Sequence, residues 1–202
     1  LQACEAGPKP CPTHVGTSGR RATYTSVAAL VTVACLVGLA GEASAQSGTS
    51  GDTALHRAAH SGDVVSLQRE LDRDVDVNAT NRFGVTPLAL ACQGGHVVAV
   101  QHLLDSGADP NRASPTGETP LMVAARTGVV DSVVSLLEHG ADPLARESWM
   151  GQTALMWAAA ERHARVVAPL VAGGADVDSR TDAGFTPLMF AARLGHIDTV
   201  DA

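Results

Sequence analysis

Gly84-Val-Thr-Pro-Leu-Ala-Leu-Ala-Cys-Gln-Gly-Gly-His96 is the stretch on which the fold turns, because its outline returns four more times in the chain. The matching glycines are Gly51, Gly84, Gly117, Gly151 and Gly184, so the intervals are 33, 33, 34 and 33 residues. Two residues after each glycine stands Thr53, Thr86, Thr119, Thr153 or Thr186. Ala or Pro follows, and then Leu55, Leu88, Leu121, Leu155 or Leu188. Five copies in phase mean one supersecondary unit repeated along the chain, each burying on its neighbours an apolar face that it cannot cover alone.

The residues within one unit predict two short helices. Threonine before Pro-Leu starts the first: its hydroxyl accepts from an orphan backbone N–H, and proline fits a first turn that needs no N–H partner. Small pairs follow, Ala58-Ala59, Ala91-Cys92, Ala124-Ala125, Ala158-Ala159 and Ala191-Ala192, which let adjacent units approach closely. Gly62, Gly95, Gly128 and Gly195 end this helix, and Arg162 stands in their place in the fourth unit. The second helix shows apolar residues at spacings of three and four, as in Val97 to Leu104 and Val129 to Leu137, and so has one buried side. Gly107-Ala108-Asp109, Gly140-Ala141-Asp142 and Gly174-Ala175-Asp176 stop it and lead into a hairpin-like finger.

This period, with Thr-Pro-Leu at the helix start, resembles the ankyrin-repeat family from Gly51 onward, and the start of the chain is similar to that of a bacterial, exported member. The resemblance implies an all-α solenoid of stacked helix-turn-helix units with short fingers, at 51–83, 84–116, 117–150, 151–183 and a truncated 184–202. The first unit reads as the N-terminal end of the stack, since Arg57 stands where later units have Leu90, Val123, Trp157 and Phe190 and Asp74 replaces a glycine. The fifth stops within its second helix with Phe185, Met189 and Phe190 expected on its outward face, which reads as a fragment of a longer protein.

Ahead of the repeats, residues 1–19 have no periodicity and read as disordered or as an upstream extension. Residues 20–45 have the layout of a signal peptide. Arg20-Arg21 forms a positive start, Val27 to Ala40 is uncharged, and Ala43-Ser44-Ala45 offers a small-x-small cleavage site between Ala45 and Gln46. Lipidation at Cys35 and an uncleaved N-terminal anchor are the rival readings. Residues 46–50 form a Gly/Ser/Thr linker.

Composition narrows the function. Aromatic residues make up 3% of the chain, which suits small-residue stacking better than a deep aromatic pocket, and a net charge of −7 argues against a nucleic-acid binder and for a neutral or basic partner. After cleavage Cys92 alone would remain; it stands where sibling units carry alanine and reads as a buried thiol. His56 and His60 have the four-residue spacing of metal ligands, but no third ligand is placed by the repeat. His96, His163 and His196 recur at one repeat position and read as structural or solvent-facing. Asp109, Asp142 and Asp176 recur likewise and read as turn residues. Asn78-Ala79-Thr80 is a formal glycosylation sequon at a position where the family commonly has Asn. No catalytic constellation, cofactor motif or metal set emerges.

The resemblance implies binding through the concave surface of finger tips and exposed first-helix sides. On this chain that selects Arg82, Phe83 and Val85; Pro115, Thr116 and Glu118; Ser148, Trp149, Met150 and Gln152; Asp182, Ala183 and Phe185 on the four fingers. On the helices it selects Gln93, Arg126, Thr127, Glu161, Arg193 and Leu194. Exposed Trp and Arg dominate interface energies, so Trp149 with Arg82, Phe83, Arg126 and Arg146 forms the expected contact surface; the rival reading has Trp149 folded back on the neighbouring finger to stiffen the insertion, while Trp157 falls at a core position. The reading is a non-catalytic, monomeric protein-binding scaffold in the periplasm or outside the cell, off the membrane after cleavage. The alternatives are the N-terminal module of an enzyme or electron-transfer protein, or an inhibitor of an exported enzyme.

Overall fold

The computed structural model describes residues 51–73 and 75–201. The signal-like segment with Ala45 and Gln46, the linker and Asp74 lie outside the described residues. Among those described are ten helices and no strand: α1 (Ala54–Ser61), α2 (Val64–Leu71), α3 (Pro87–Gly94), α4 (Val97–Asp105), α5 (Pro120–Thr127), α6 (Val130–Glu138), α7 (Ala154–Ala160), α8 (Ala164–Ala172), α9 (Pro187–Leu194) and α10 (Ile197–Val200). Odd-numbered helices pack on one another in an inner row, even-numbered helices in an outer row, and each pair is one repeat.

The first-helix signals act as expected. The hydroxyls of Thr53, Thr86, Thr119 and Thr186 accept from the backbone N–H three residues on. Thr153 departs, with no side-chain cap bond and a buried, unpaired hydroxyl. Leu55, Leu88, Leu121 and Leu155 are buried, and so are the small pairs through Ala158-Ala159. In the last unit Ala191 is buried but Ala192 is exposed. Cys92 is a buried free thiol whose pKa burial pushes up to about 12, so thiolate chemistry is suppressed at neutral pH.

The turn between the paired helices is fixed by more than backbone preference. Gly62 and Gly128 adopt positive φ, and a Cβ on either would strike the imidazole of the next unit, His96 or His163. Those rings are not simply solvent-facing. His96 Nε2 donates to the His60 carbonyl at 3.1 Å and His163 Nε2 to the Arg126 carbonyl at 2.9 Å, so each ties its unit to the one before. Arg162, at φ 63, carries the Cβ that glycine avoids. There the next histidine, His196, bonds one residue earlier, through Nδ1 to the Ala159 carbonyl at 3.1 Å. An L-residue in this left-handed region costs about 1–2 kcal/mol.

At the last unit one expectation is corrected. Phe190 is buried against Met156, Ala159 and Ala191 rather than facing outward, with the Phe185 ring 6.0 Å away. Leu188 and Met189 are exposed there, and Leu188 lines an open groove of about 590 Å³ together with Leu155, Val167, Val171 and Val200.

Candidate functional site: the inner face and its fingers

Each finger is closed by one backbone bond across its base: Asn81 to Val85, Ser114 to Glu118, Glu147 to Gln152 and Thr181 to Phe185, the first residue donating at 2.9–3.1 Å. The third spans one residue more, which locates the insertion. The first residue of each finger also turns its side chain inward as an acceptor. Asn81 Oδ1 takes the N–H groups of Phe83 and Val85, both at 3.0 Å. Ser114 Oγ takes that of Glu118 and Thr181 Oγ1 that of Phe185. Glu147 has the largest task, since its carboxylate accepts from Trp149, Met150 and Gln152 at 2.5, 2.8 and 2.9 Å and is 6% exposed. Glutamate is longer than Asn, Ser or Thr, and the added reach accommodates the inserted residue.

Adjacent fingers are joined as well. Ser148 N–H donates to the Thr116 carbonyl at 2.9 Å and Asp182 N–H to the Met150 carbonyl at 3.0 Å. Lower down, Asn78 and Asn111 each bridge to the next turn, donating to the Gly107 or Gly140 carbonyl and accepting from the Asp109 or Asp142 N–H at 2.7 Å. The sequon asparagine Asn78 is therefore one strut of this series, and the recurring Asp109, Asp142 and Asp176 carboxylates cap turn backbone as their spacing predicts.

On this frame the proposed contact residues divide. Trp149 stands 66% exposed on the third finger and Phe83 58% exposed on the first, with the Arg82 guanidinium 4.5 Å over its ring. Arg146 reaches across to Asp182 at 3.0 Å, and Arg193 and Phe185 are exposed. Gln93, Glu161 and Met150 are half-buried.

Other members belong to the frame. Gln152 is a correction: it is buried, and its backbone is locked to Glu147 at the finger base. Val85 is half-buried, with its carbonyl accepting from His56 Nε2 at 3.0 Å, and Thr127 donates to the Ala124 and Cys92 carbonyls. Because His56 Nδ1 also bonds Thr53, both its ring nitrogens are in use, which removes the His56–His60 metal pairing.

Arg126 is intermediate in character. Its guanidinium lies 5.4 Å over the buried Trp157 ring, with Glu118 at 3.8 Å. Trp157 is in the core, as its repeat position predicts, and serves as the platform for that arginine. Sequence reasoning missed Glu147 and the histidine and asparagine ties. The signal for the first was legible, since Asn81, Ser114, Glu147 and Thr181 recur at 33, 33 and 34 residues.

The family model described as ankyrin repeats (3 copies) matches residues 22–114, 55–147 and 145–202. The first match begins inside the segment read as a signal. No individual curated protein matches the chain.

Proposed function

Since the chain belongs to the ankyrin-repeat family, whose repeats are generally protein–protein interaction modules, we propose that it is a non-catalytic scaffold gripping a protein partner with its inner face. One observation carries this reading: Phe83 and Trp149 present large exposed rings on finger backbones that buried acceptors hold rigid. Exposed apolar rings gain nothing for the isolated fold, whereas an ordered aromatic anchor binds without a large loss of side-chain entropy. Among the described residues the Trp149 indole meets no other ring or guanidinium. Arg126→Ala would not isolate this surface, because it would also uncover Trp157.

A photo-crosslinking residue at position 149 should trap a discrete host protein, and one at the outer-helix position 98, also exposed, should not. Trp149→Ala and Phe83→Ala should each weaken capture of that protein by about tenfold, within the hot-spot range, with thermal melting nearly unchanged. Equal trapping from both positions would refute the assignment.

Export belongs to the same proposal, supported by Arg20-Arg21, the uncharged Val27 to Ala40 run and Ala43-Ser44-Ala45. The mature protein is then expected to begin at Gln46, in the periplasm or outside the cell. An N-terminus retained ahead of Arg20 in the isolated native protein would exclude cleavage.

A further inference from the structure

We propose that Arg126 is a preset receptor for a carboxylate on the partner, so that the segment docked on the inner face is acidic; this rests on the scaffold reading above. Guanidinium groups recognise carboxylates through paired N–H donors, and stacking on an aromatic face fixes the fork before binding. Arg126 meets both conditions. It lies over Trp157, itself 9% exposed, and α5 sets its backbone in the last turn of an inner helix. Its side-chain donors make no hydrogen bond among the described residues, since Glu118 at 3.8 Å is beyond hydrogen-bonding reach. About a fifth of the side chain remains open to solvent.

Charge placement supports an acidic occupant, although the net charge of −7 alone would point to a neutral or basic one. Exposed carboxylates crowd the outer row and the turns after it, as at Asp105, Asp131, Glu138, Asp142, Asp176 and Asp198. On the inner side Asp182 is held by Arg146, Asp52 bonds Asn81, and Glu147 is buried under three N–H groups. Glu118 remains near the arginine, and it disfavours a doubly charged phosphate more than a singly charged carboxylate.

The arrangement also sets a length. Arg193 occupies the Arg126 position two units on, exposed and without a carboxylate within 4.0 Å among the described residues. Packed helices lie about 8–10 Å apart, so the two guanidiniums stand roughly 20 Å apart. An extended segment of about six residues covers that distance.

The test uses the full chain with two synthetic 12-residue peptides, one alternating Glu and Leu, the other Lys and Leu, titrated by calorimetry at low and at raised salt. The Glu peptide should bind about tenfold or more tightly than the Lys peptide and weaken with salt. Arg126→Met keeps an aliphatic stem over Trp157 and should reduce Glu-peptide affinity about tenfold, with Arg126→Lys restoring only part. Arg193→Ser, at an exposed site, should weaken the same peptide with unchanged melting. Stronger binding of the Lys peptide, binding indifferent to Arg126→Met, or no binding of either peptide would each overturn the proposal. Capture through Trp149 that survives Arg126→Met would leave the scaffold reading standing and remove only this one.

Discussion

Glu147→Ala is expected to lower the unfolding free energy by about 2–4 kcal/mol, from the loss of charge-assisted bonds and the desolvation left unmatched at buried donors. Three backbone N–H groups, those of Trp149, Met150 and Gln152, lose their acceptor at once, and alanine cannot reach any of them. Glu147→Gln separates the parts. One amide oxygen can still take Met150 and Gln152, which share Oε1, while the amide NH2 replaces the oxygen that accepts from Trp149. That variant should lose about 1 kcal/mol and loosen the third finger locally. Equilibrium denaturation gives the two energies, and amide hydrogen exchange at Trp149, Met150 and Gln152 reports the loosening. A Glu147→Ala protein as stable as the parent would mean that water can replace the carboxylate in full.

Gly128→Ala should cost about 2–3 kcal/mol, against about 1 for Gly140→Ala, measured by the same denaturation. Both glycines have positive φ, 74° and 85°, so the backbone contribution is similar. They differ in surroundings. A Cβ at Gly140 meets nothing within 4 Å, whereas at Gly128 it strikes the His163 ring and must displace the bond from that ring to the Arg126 carbonyl. Arg162 shows the accommodated form of this conflict, with His196 bonded one residue earlier on its neighbour. Equal losses at the two positions would show that backbone conformation alone explains the recurring geometry of the turn, and that the histidine tie adds nothing.

Much of the molecule can be read from the chain because each unit repeats the same local instructions. Thr86, Pro87, Leu88 and Gly95 state a cap, a first turn, a core contact and a stop within one helix, so helix positions and the stacked pairing follow from spacing alone. Trp157 as core was legible by the same logic, since repeat position fixes which side of an inner helix a residue occupies, whereas the exposure of Trp149 on the lengthened finger was left open by spacing. Gln152 was misplaced among the contacts because one inserted residue changed which finger positions face inward, and spacing does not tell where an insertion is absorbed.

What the sequence by itself determined is therefore the architecture, where the first helices start and stop, and the burial of Cys92, all consequences of bonds and contacts within about a dozen residues or at a fixed period. Tertiary structure alone decided that Glu147 is an interior acceptor, that His96 and His163 tie units together, and that Arg126 rests on Trp157. The physical reason is that polar side chains are directed by which donors or rings their neighbours leave within reach, and for the histidine and Arg126 contacts those neighbours sit a full repeat away in the chain. For Glu147 they sit within the finger itself, where an inserted residue re-aims the backbone N–H groups in a way that no period records.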